Sequence, residues 1–589
     1  MDSPTKTKIR GFFDFLNQFL AHEQASMILL AIIVGCLAGF GGYFFSGLIE
    51  FVKSLFFRGK ITLEGANSLP WYIILFSPAL GGLLVGILAR FAPEIKGHGV
   101  PNIIEKLVTR GGRIRKRVIF WGILGSGVTI GSGGSCGKEG PIVQIGSAFG
   151  AFIGNFTKLS SNRFKTLVGC GAAAGIAGIF NAPIGGAMFA LEVILGDFAV
   201  TTFSPIILSA VAGTVVARAL RGNVPEILVP NYDLNHPGEL VLYAILGVLA
   251  AFVGILFIKT LYAMEDFVEK FSHWKKISFL FPMVGGVFVG VIGLRYPYIF
   301  GPWTYSTIDL AVAGKILFST AILLVFVKII ATSLTLGTGG SGGVFAPSLF
   351  IGALLGSSFG SVVHNFWPLK TAPSGAYAVV GMAALVAATT QAPLTAIMML
   401  FEITDNYTMI LPLMLSCILS AIVLKQINKE SIYTEKLIRK GINVHAGRNV
   451  NVLKALNVED CMIREVNTIP ETMTFRELLR LMPKTRHYTS YPVVNSKEEL
   501  TGILSFSDFQ SFVFEEGLED LVIVKELATK EVITVFPDEN LQQALGKISS
   551  KDVAHIPVVA RSNPKKIIGI LSRRDIINEY NRALLKYNF

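Results

Sequence analysis

Long apolar stretches set the pattern over most of the chain. They cover 27–49, 71–91, 118–131, 164–180, 203–217, 240–258, 278–294, 316–330, 348–363, 376–390 and 409–424. Some reach the roughly 20 residues a helix needs to cross a bilayer, and several fall short. Glycine and proline interrupt many of them. Simple up-and-down spans have no use for such breaks. Helices that stop inside the membrane do, because backbone leaves helical geometry there only where it is buried in protein or lines a wet cavity. The pattern therefore predicts a helical, multi-pass membrane part with broken helices. Ahead of it, residues 9–20 place Phe12, Phe13, Leu16, Phe19 and Leu20 on one helical face, beside Lys6, Lys8 and Arg10. That predicts an amphipathic segment at the membrane surface. After about residue 450 the pattern becomes mixed. YPVVN (491–495) precedes GILSFSD (502–508), and IPVVA (556–560) precedes GILSRRD (569–575). Each pair reads as two short strands and a Ser-x-x-Asp helix entry, with leading helices expected at 473–482 and 540–548.

The membrane part repeats itself. GSGGSCGKEGP (131–141) returns as GTGGSGGVFAP (337–347), at an offset of 206. NAPIGGAMFALE (181–192) returns as QAPLTAIMMLFE (391–402), at an offset of 210. Repeated halves with broken hydrophobic segments point to a transport site between the repeats. The halves are expected at about 25–235 and 236–445, after a leading segment 1–24 and before two α/β modules at 446–515 and 516–589.

Composition narrows the class. Of 589 residues, 52% are hydrophobic and 16% charged, where a soluble domain carries about 25% charge. Disorder is excluded, since it needs low hydrophobicity. Residues 451–589 hold 18 basic and 19 acidic side chains, so the +12 excess of the chain lies before them. Basic residues cluster in loops such as Arg110, Arg113, Arg115, Lys116 and Arg117. This fits the positive-inside bias and also an electrostatic funnel for an anion. No soluble basic patch calls for nucleic acid. The five cysteines form no metal spacing. The first Gly-rich loop fails as a phosphate loop, since Ser132 and Glu139 stand where a glycine and a hydroxyl residue are required. Gly337-x-Gly339-x-x-Gly342 matches a dinucleotide fingerprint only in letters, amid membrane segments. No nucleophile–base pair, metal cluster or cofactor loop survives, so an enzyme is not expected.

What these loops can do is bring backbone N–H groups to an anion. Glycines admit close approach, and Pro141 and Pro347 suit a first helical turn. The unpaired N–H groups and the helix dipole then favour negative charge, at about 1–2 kcal/mol per end. Glu139 lies at such a helix start. Ionised, its carboxylate competes for the same N–H groups; protonated, it releases them. Intramembrane carboxylates are functional by default. Glu192 and Glu402 occupy equivalent repeat positions, which favours a structural role.

GHGVP (97–101), GKEGP (137–141), GIFNAP (178–183), GGVFAP (342–347) and Tyr433 in SIYTEKL resemble the CLC family of chloride channels and chloride/proton antiporters. The resemblance implies an inverted-repeat membrane fold and a homodimer with one pore per subunit. It implies that Glu139 is the external gate. It also implies that the Val344 and Phe345 amides and the Tyr433 hydroxyl contact the anion. With the loop residues, the candidate anion set is His98, Gly99, Gly137, Lys138, Gly140, Val344, Phe345, Ala346 and Tyr433. Two departures stand out. His98 replaces the serine of the family's GSGIP, and it either donates N–H to the anion or turns away. Val193 stands where many antiporters carry an internal proton-handling glutamate.

The valine favours a passive chloride channel gated by protonation of Glu139. Chloride/proton antiport is the first alternative, and a nucleotide-sensing regulator with a vestigial pore the second. The tail resembles a cystathionine β-synthase (CBS) domain pair. Ser505, Asp508, Ser572, Arg573 and Asp575 then form a candidate adenine-nucleotide site, or the pair is purely structural. No cofactor or metal is required; chloride is the substrate, protons act on the gate, and the bilayer is the solvent. The cell membrane is the expected location, with the CBS pair cytosolic.

Overall fold

The apolar stretches fold as helices, and several of these extend beyond them. The structure is a computed structural model that describes residues 23–586, apart from 60–64, 66–67, 116, 158, 224, 272–276, 443–452, 454–455, 482–489, 511–518 and 552. The amphipathic segment expected over 9–20 lies outside these residues. The chain divides into two compact units after Val444.

In the first unit, one half comprises α1 (Glu23–Phe56), α2 (Trp71–Phe91), β1 (Gly97–His98), α3 (Gly99–Arg110), α4 (Arg117–Gly131), α5 (Glu139–Gly154), α6 (Ser161–Phe180), α7 (Pro183–Phe189) and α8 (Val200–Arg221). A π-helical stretch, Ala190–Leu195, continues α7. The other half comprises α9 (Glu239–Glu269), α10 (Phe281–Arg295), α11 (Thr304–Val312), α12 (Phe318–Gly337), β2 (Ser341–Gly342), α13 (Phe345–Phe366), α14 (Ser374–Thr390), α15 (Pro393–Thr404), α16 (Ile410–Ile427) and α17 (Glu435–Arg439). Among the described residues, nine helices are long and apolar enough to cross a membrane. Others, such as α7, α11 and α15, reach only part way.

Small residues make tight helix contacts in the interior, beside buried aromatics such as Trp303, Tyr377 and Phe189. Gly146 of α5 meets Gly171 of α6 so closely that a Cβ on either would strike the other's carbonyl oxygen. Gly352 of α13 and Gly381 of α14 repeat the same contact at offsets of 206 and 210. Large apolar side chains such as Phe44, Phe51, Phe76, Phe91 and Phe252 face outward instead. In water this would be costly; in lipid it is the expected arrangement, with tight backbone packing inside.

The second unit contains β3 (Ile469–Pro470), α18 (Phe475–Leu481), β4 (Ser490–Val494), β5 (Leu500–Ser505), α19 (Phe506–Phe509), α20 (Val524–Leu527), α21 (Leu541–Ser550), β6 (His555–Ala560), β7 (Asn563–Ser572) and α22 (Arg573–Lys586). β4–β5 and β6–β7 are antiparallel pairs, as the YPVVN and IPVVA repeats require. The two cores exchange their leading segments. Val458 precedes the first strand pair but packs with Val535, Leu541, Val558 and Leu571 of the second. Val524 follows the first pair and returns to pack with Phe475, Tyr491 and Leu504. Modules this small bury too little apolar surface alone, which accounts for the exchange of segments between the two cores.

Candidate anion site and gate

The two Gly-rich loops are bound to each other by matching hydrogen bonds. Gly137 N–H donates to Gly343 O (2.9 Å), and Gly343 N–H donates to Gly137 O (2.7 Å). Ser135 N–H donates to Thr335 Oγ1 (3.0 Å), while Ser341 N–H donates to Thr129 Oγ1 (3.2 Å). Gly97 N–H donates to Gly340 O, and Gly301 N–H to Gly134 O. Each loop does for the other what the other does for it, as an inverted duplication requires. Gly133 and Gly339, at φ 106° and 105°, turn the chain identically before each helix start. Three helix N-termini thereby converge. A Cβ placed on Gly140 would lie 3.0 Å from Gly343 Cα and 3.4 Å from Gly99 N.

Glu139 is the first residue of α5 and is buried. Its Oε2 accepts the N–H of Ala346 (3.3 Å), in the first turn of α13. Its Oε1 accepts the Tyr305 hydroxyl. A side chain on Gly137 would collide with the carboxylate. The carboxylate of one half therefore occupies the helix N-terminus of the other. By the repeat offset, the position equivalent to Glu139 is Phe345, so only one half carries an acid here.

The remaining expected residues fall into distinct places. Phe345 stacks edge-on with Phe189 (6.3 Å), and Phe189 with Tyr433 (6.4 Å), so an aromatic chain links α13 to the tyrosine. Val344 immediately precedes α13. The Lys138 ammonium pairs with Glu226, itself bonded by Arg221, and lies 5.0 Å from the Tyr305 ring centre. Lys138 thus faces the α8–α9 connection, and what it gives the loop is its backbone. His98 immediately precedes α3 and is buried; its Nε2 lies 3.2 Å from the Tyr262 hydroxyl. Val193 lies in the π-helical stretch. Beside it, Glu192 accepts Leu394 N–H and Thr395 N–H and Oγ1–H, while Glu402 accepts Ile184 N–H and Gly185 N–H. Each glutamate caps the broken helix of the other half, the structural role their symmetry suggested.

Two residues of the site escaped the sequence reading. Tyr305 carries no motif, and an aromatic amid apolar neighbours reads as core. Lys328 is a lone cation in the 316–330 stretch, which was the signal available. It is fully buried in α12, donates to Ile299 O (2.7 Å) and Thr304 Oγ1 (2.9 Å), and lies 4.6 Å from the Phe350 ring centre. It fixes the start of α11, the helix that carries Tyr305.

In the second unit a cavity of about 730 Å³ is lined by Ser505, Asp508, Thr529, Glu531, Lys551 and His555, among others. That volume suits a nucleotide-sized ligand. Asp508 Oδ2 accepts Ser505 N–H (2.7 Å), and Asp575 Oδ2 accepts Ser572 N–H (3.0 Å) and Oγ–H (2.6 Å). Both Ser-x-x-Asp motifs thus fasten a helix start. Ser505 and Asp508 line the cavity, whereas Ser572, Arg573 and Asp575 do not. Burial pushes the His555 imidazole below its ordinary pKa, and Asp575 opposes this in part.

Residues 80–425 match the family model described as voltage gated chloride channel. The chain belongs to that family. Residues 458–515 and 524–582 match the CBS domain model. A putative chloride channel protein ClcB-like of Ralstonia nicotianae is 34% identical over 379 residues, 64% of this chain and 87% of that protein. An H(+)/Cl(-) exchange transporter ClcA of Vibrio parahaemolyticus is 33% identical over 442 residues, 72% and 92% of the two chains. Among solved structures, a slow cyanobacterial Cl-/H+ antiporter superposes with a TM-score of 0.64 at 27% identity, covering 71% of this chain and 98% of that one. A eukaryotic CLC transporter covers 93% of this chain and 97% of its own, with a TM-score of 0.60. At 22% identity it supports the fold alone.

Proposed function

We propose that this protein exchanges chloride for protons across the cell membrane. The observation that carries the reading is the position of the Glu139 carboxylate, seated on the Ala346 N–H at the start of α13. An anion and this carboxylate compete for one helix N-terminus, and a proton decides the contest by discharging the carboxylate. One residue then handles both ions, which is the elementary requirement for coupling them. The relatives named as exchange transporters support this over the passive channel expected from Val193. That valine, which cannot carry a proton, favours the channel reading, as does the relative named as a putative chloride channel protein. The family supports a homodimer with the CBS pair in the cytosol. The cavity beside Ser505 and Asp508 supports an adenine nucleotide as the regulator, with Lys551 in its lining to attract phosphate.

The test uses sealed vesicles containing the purified protein. An imposed chloride gradient should drive protons uphill, and Glu139→Gln should abolish proton movement while chloride still flows. Chloride flux from the unmodified protein without proton movement would return the assignment to a channel.

A further inference from the structure

Among the converging helix starts lies a second ionisable group, His98 ahead of α3, whose hydrogen bonding dictates where its proton resides. Tyr262 of α9 has one hydroxyl hydrogen, and it donates to Ile432 O at 2.6 Å. A carbonyl can only accept. The contact of 3.2 Å between His98 Nε2 and the same hydroxyl oxygen therefore requires the histidine to donate. The neutral ring is thus fixed with hydrogen on Nε2 and a lone pair on Nδ1. Nδ1 is buried and has no hydrogen-bond partner among the described residues. It is the ring nitrogen nearer the backbone, and His98 immediately precedes α3, whose first residue, Gly99, adjoins Gly140, which in turn adjoins Gly343. β1 also places His98 in register with Gly342.

We propose that His98 Nδ1 is a proton-binding site that takes up its proton together with the anion. A bare lone pair repels an anion. Once protonated, the same atom becomes a charge-assisted donor toward it. The reverse also holds, since a buried imidazolium is costly without a counter-charge. Anion and proton therefore bind with positive, reciprocal coupling. The charged groups that face His98 do not supply that counter-charge. Lys436 is held by Glu265 (2.9 Å) and Lys440 by Glu105 (2.7 Å); Arg439 lies 4.9 Å from the centre of the Tyr262 ring and pairs with Asp266 and Glu435. A serine at this position can donate at any pH. The histidine makes anion affinity depend on proton supply, in a chain whose Val193 has no proton of its own to give.

The inference rests on the anion-seat reading, not on exchange. The experiment is bromide binding to the full-length protein by calorimetry, in the Glu139→Gln background so that the gate cannot contribute. Between about pH 8 and about pH 5, affinity should strengthen toward tenfold per pH unit, with proton uptake. Adding His98→Ser should flatten the dependence while bromide still binds. Adding Tyr262→Phe should weaken it, because the ring is then free to carry hydrogen on Nδ1 without taking up a proton. Bromide binding that is flat with pH in Glu139→Gln overturns the proposal, and so does an unchanged slope after His98→Ser. Absence of bromide binding at every pH overturns the seat itself. If His98→Ser does not fold, ¹⁵N-histidine spectra of the Glu139→Gln protein decide. Conversion of one Nδ1 from lone-pair to protonated shift on adding bromide supports the proposal, and no conversion rejects it.

Discussion

At the scale of single residues, the Glu139 carboxylate is held by two donors of different origin. One is the backbone N–H of Ala346, the other the Tyr305 hydroxyl. A hydrogen bond to a charged group contributes about 1.5–3 kcal/mol. Tyr305→Phe should therefore loosen the seated carboxylate and let an anion displace it more easily. Apparent bromide affinity at neutral pH should rise by about tenfold to about 100-fold, measured by calorimetry on the otherwise unmodified protein. Affinity that stays the same would mean the tyrosine serves packing alone. Glu139 itself was legible, because a carboxylate at a glycine-rich helix start inside a membrane leaves few other readings. Tyr305 was not, since its partner lies 166 positions away in the chain and nothing local marks it. The orientation of His98 was equally hidden. The residue could be seen, but its tautomer depends on Tyr262 and Ile432, which only the fold brings to it.

At the scale of elements, glycines make close helix contacts, and the Gly146–Gly171 contact has its equivalent in Gly352–Gly381. Gly171→Ala and Gly381→Ala should each destabilise the protein by about 1–3 kcal/mol, the usual penalty for overpacking, and by similar amounts. Thermal unfolding in detergent would show both as a lower midpoint. Gly47 of α1 has open space around its would-be Cβ, so Gly47→Ala should cost nothing and serves as the control. The long helices were legible from hydropathy, and each of the apolar stretches overlaps a helix over nearly all its length. The partial helices α7, α11 and α15 showed only their starts or nothing. They are short and packed against other helices, so neither length nor periodicity distinguishes them. The exchange of Val458 and Val524 between the two small cores was beyond reach for a related reason. A single β-branched residue ahead of a strand does not say which sheet it will cover.

For the whole molecule, the charge pattern already separates a membrane unit from a near-neutral tail, and the fold divides at the same region. The tail's cavity offers a further check. Burial lowers the His555 pKa, with Asp575 opposing it in part, and a bound polyphosphate would stabilise its cation. Nucleotide binding should then take up a proton. ATP affinity should rise as pH falls through the ordinary histidine range, near about 6.5, toward the lowered native value. His555→Gln should bind with little pH dependence, as read by calorimetry on the full chain.

The equivalence of Glu139 and Phe345 has a consequence for polarity. Two copies of one design, set head to tail, make a machine that would run the same from either face. Here a single amino-acid difference at matched sites breaks that equality. Phe345→Glu, with Glu139→Phe to compensate, would move the bolt to the opposite door, and the vesicle assay should then find acid acting from the other side.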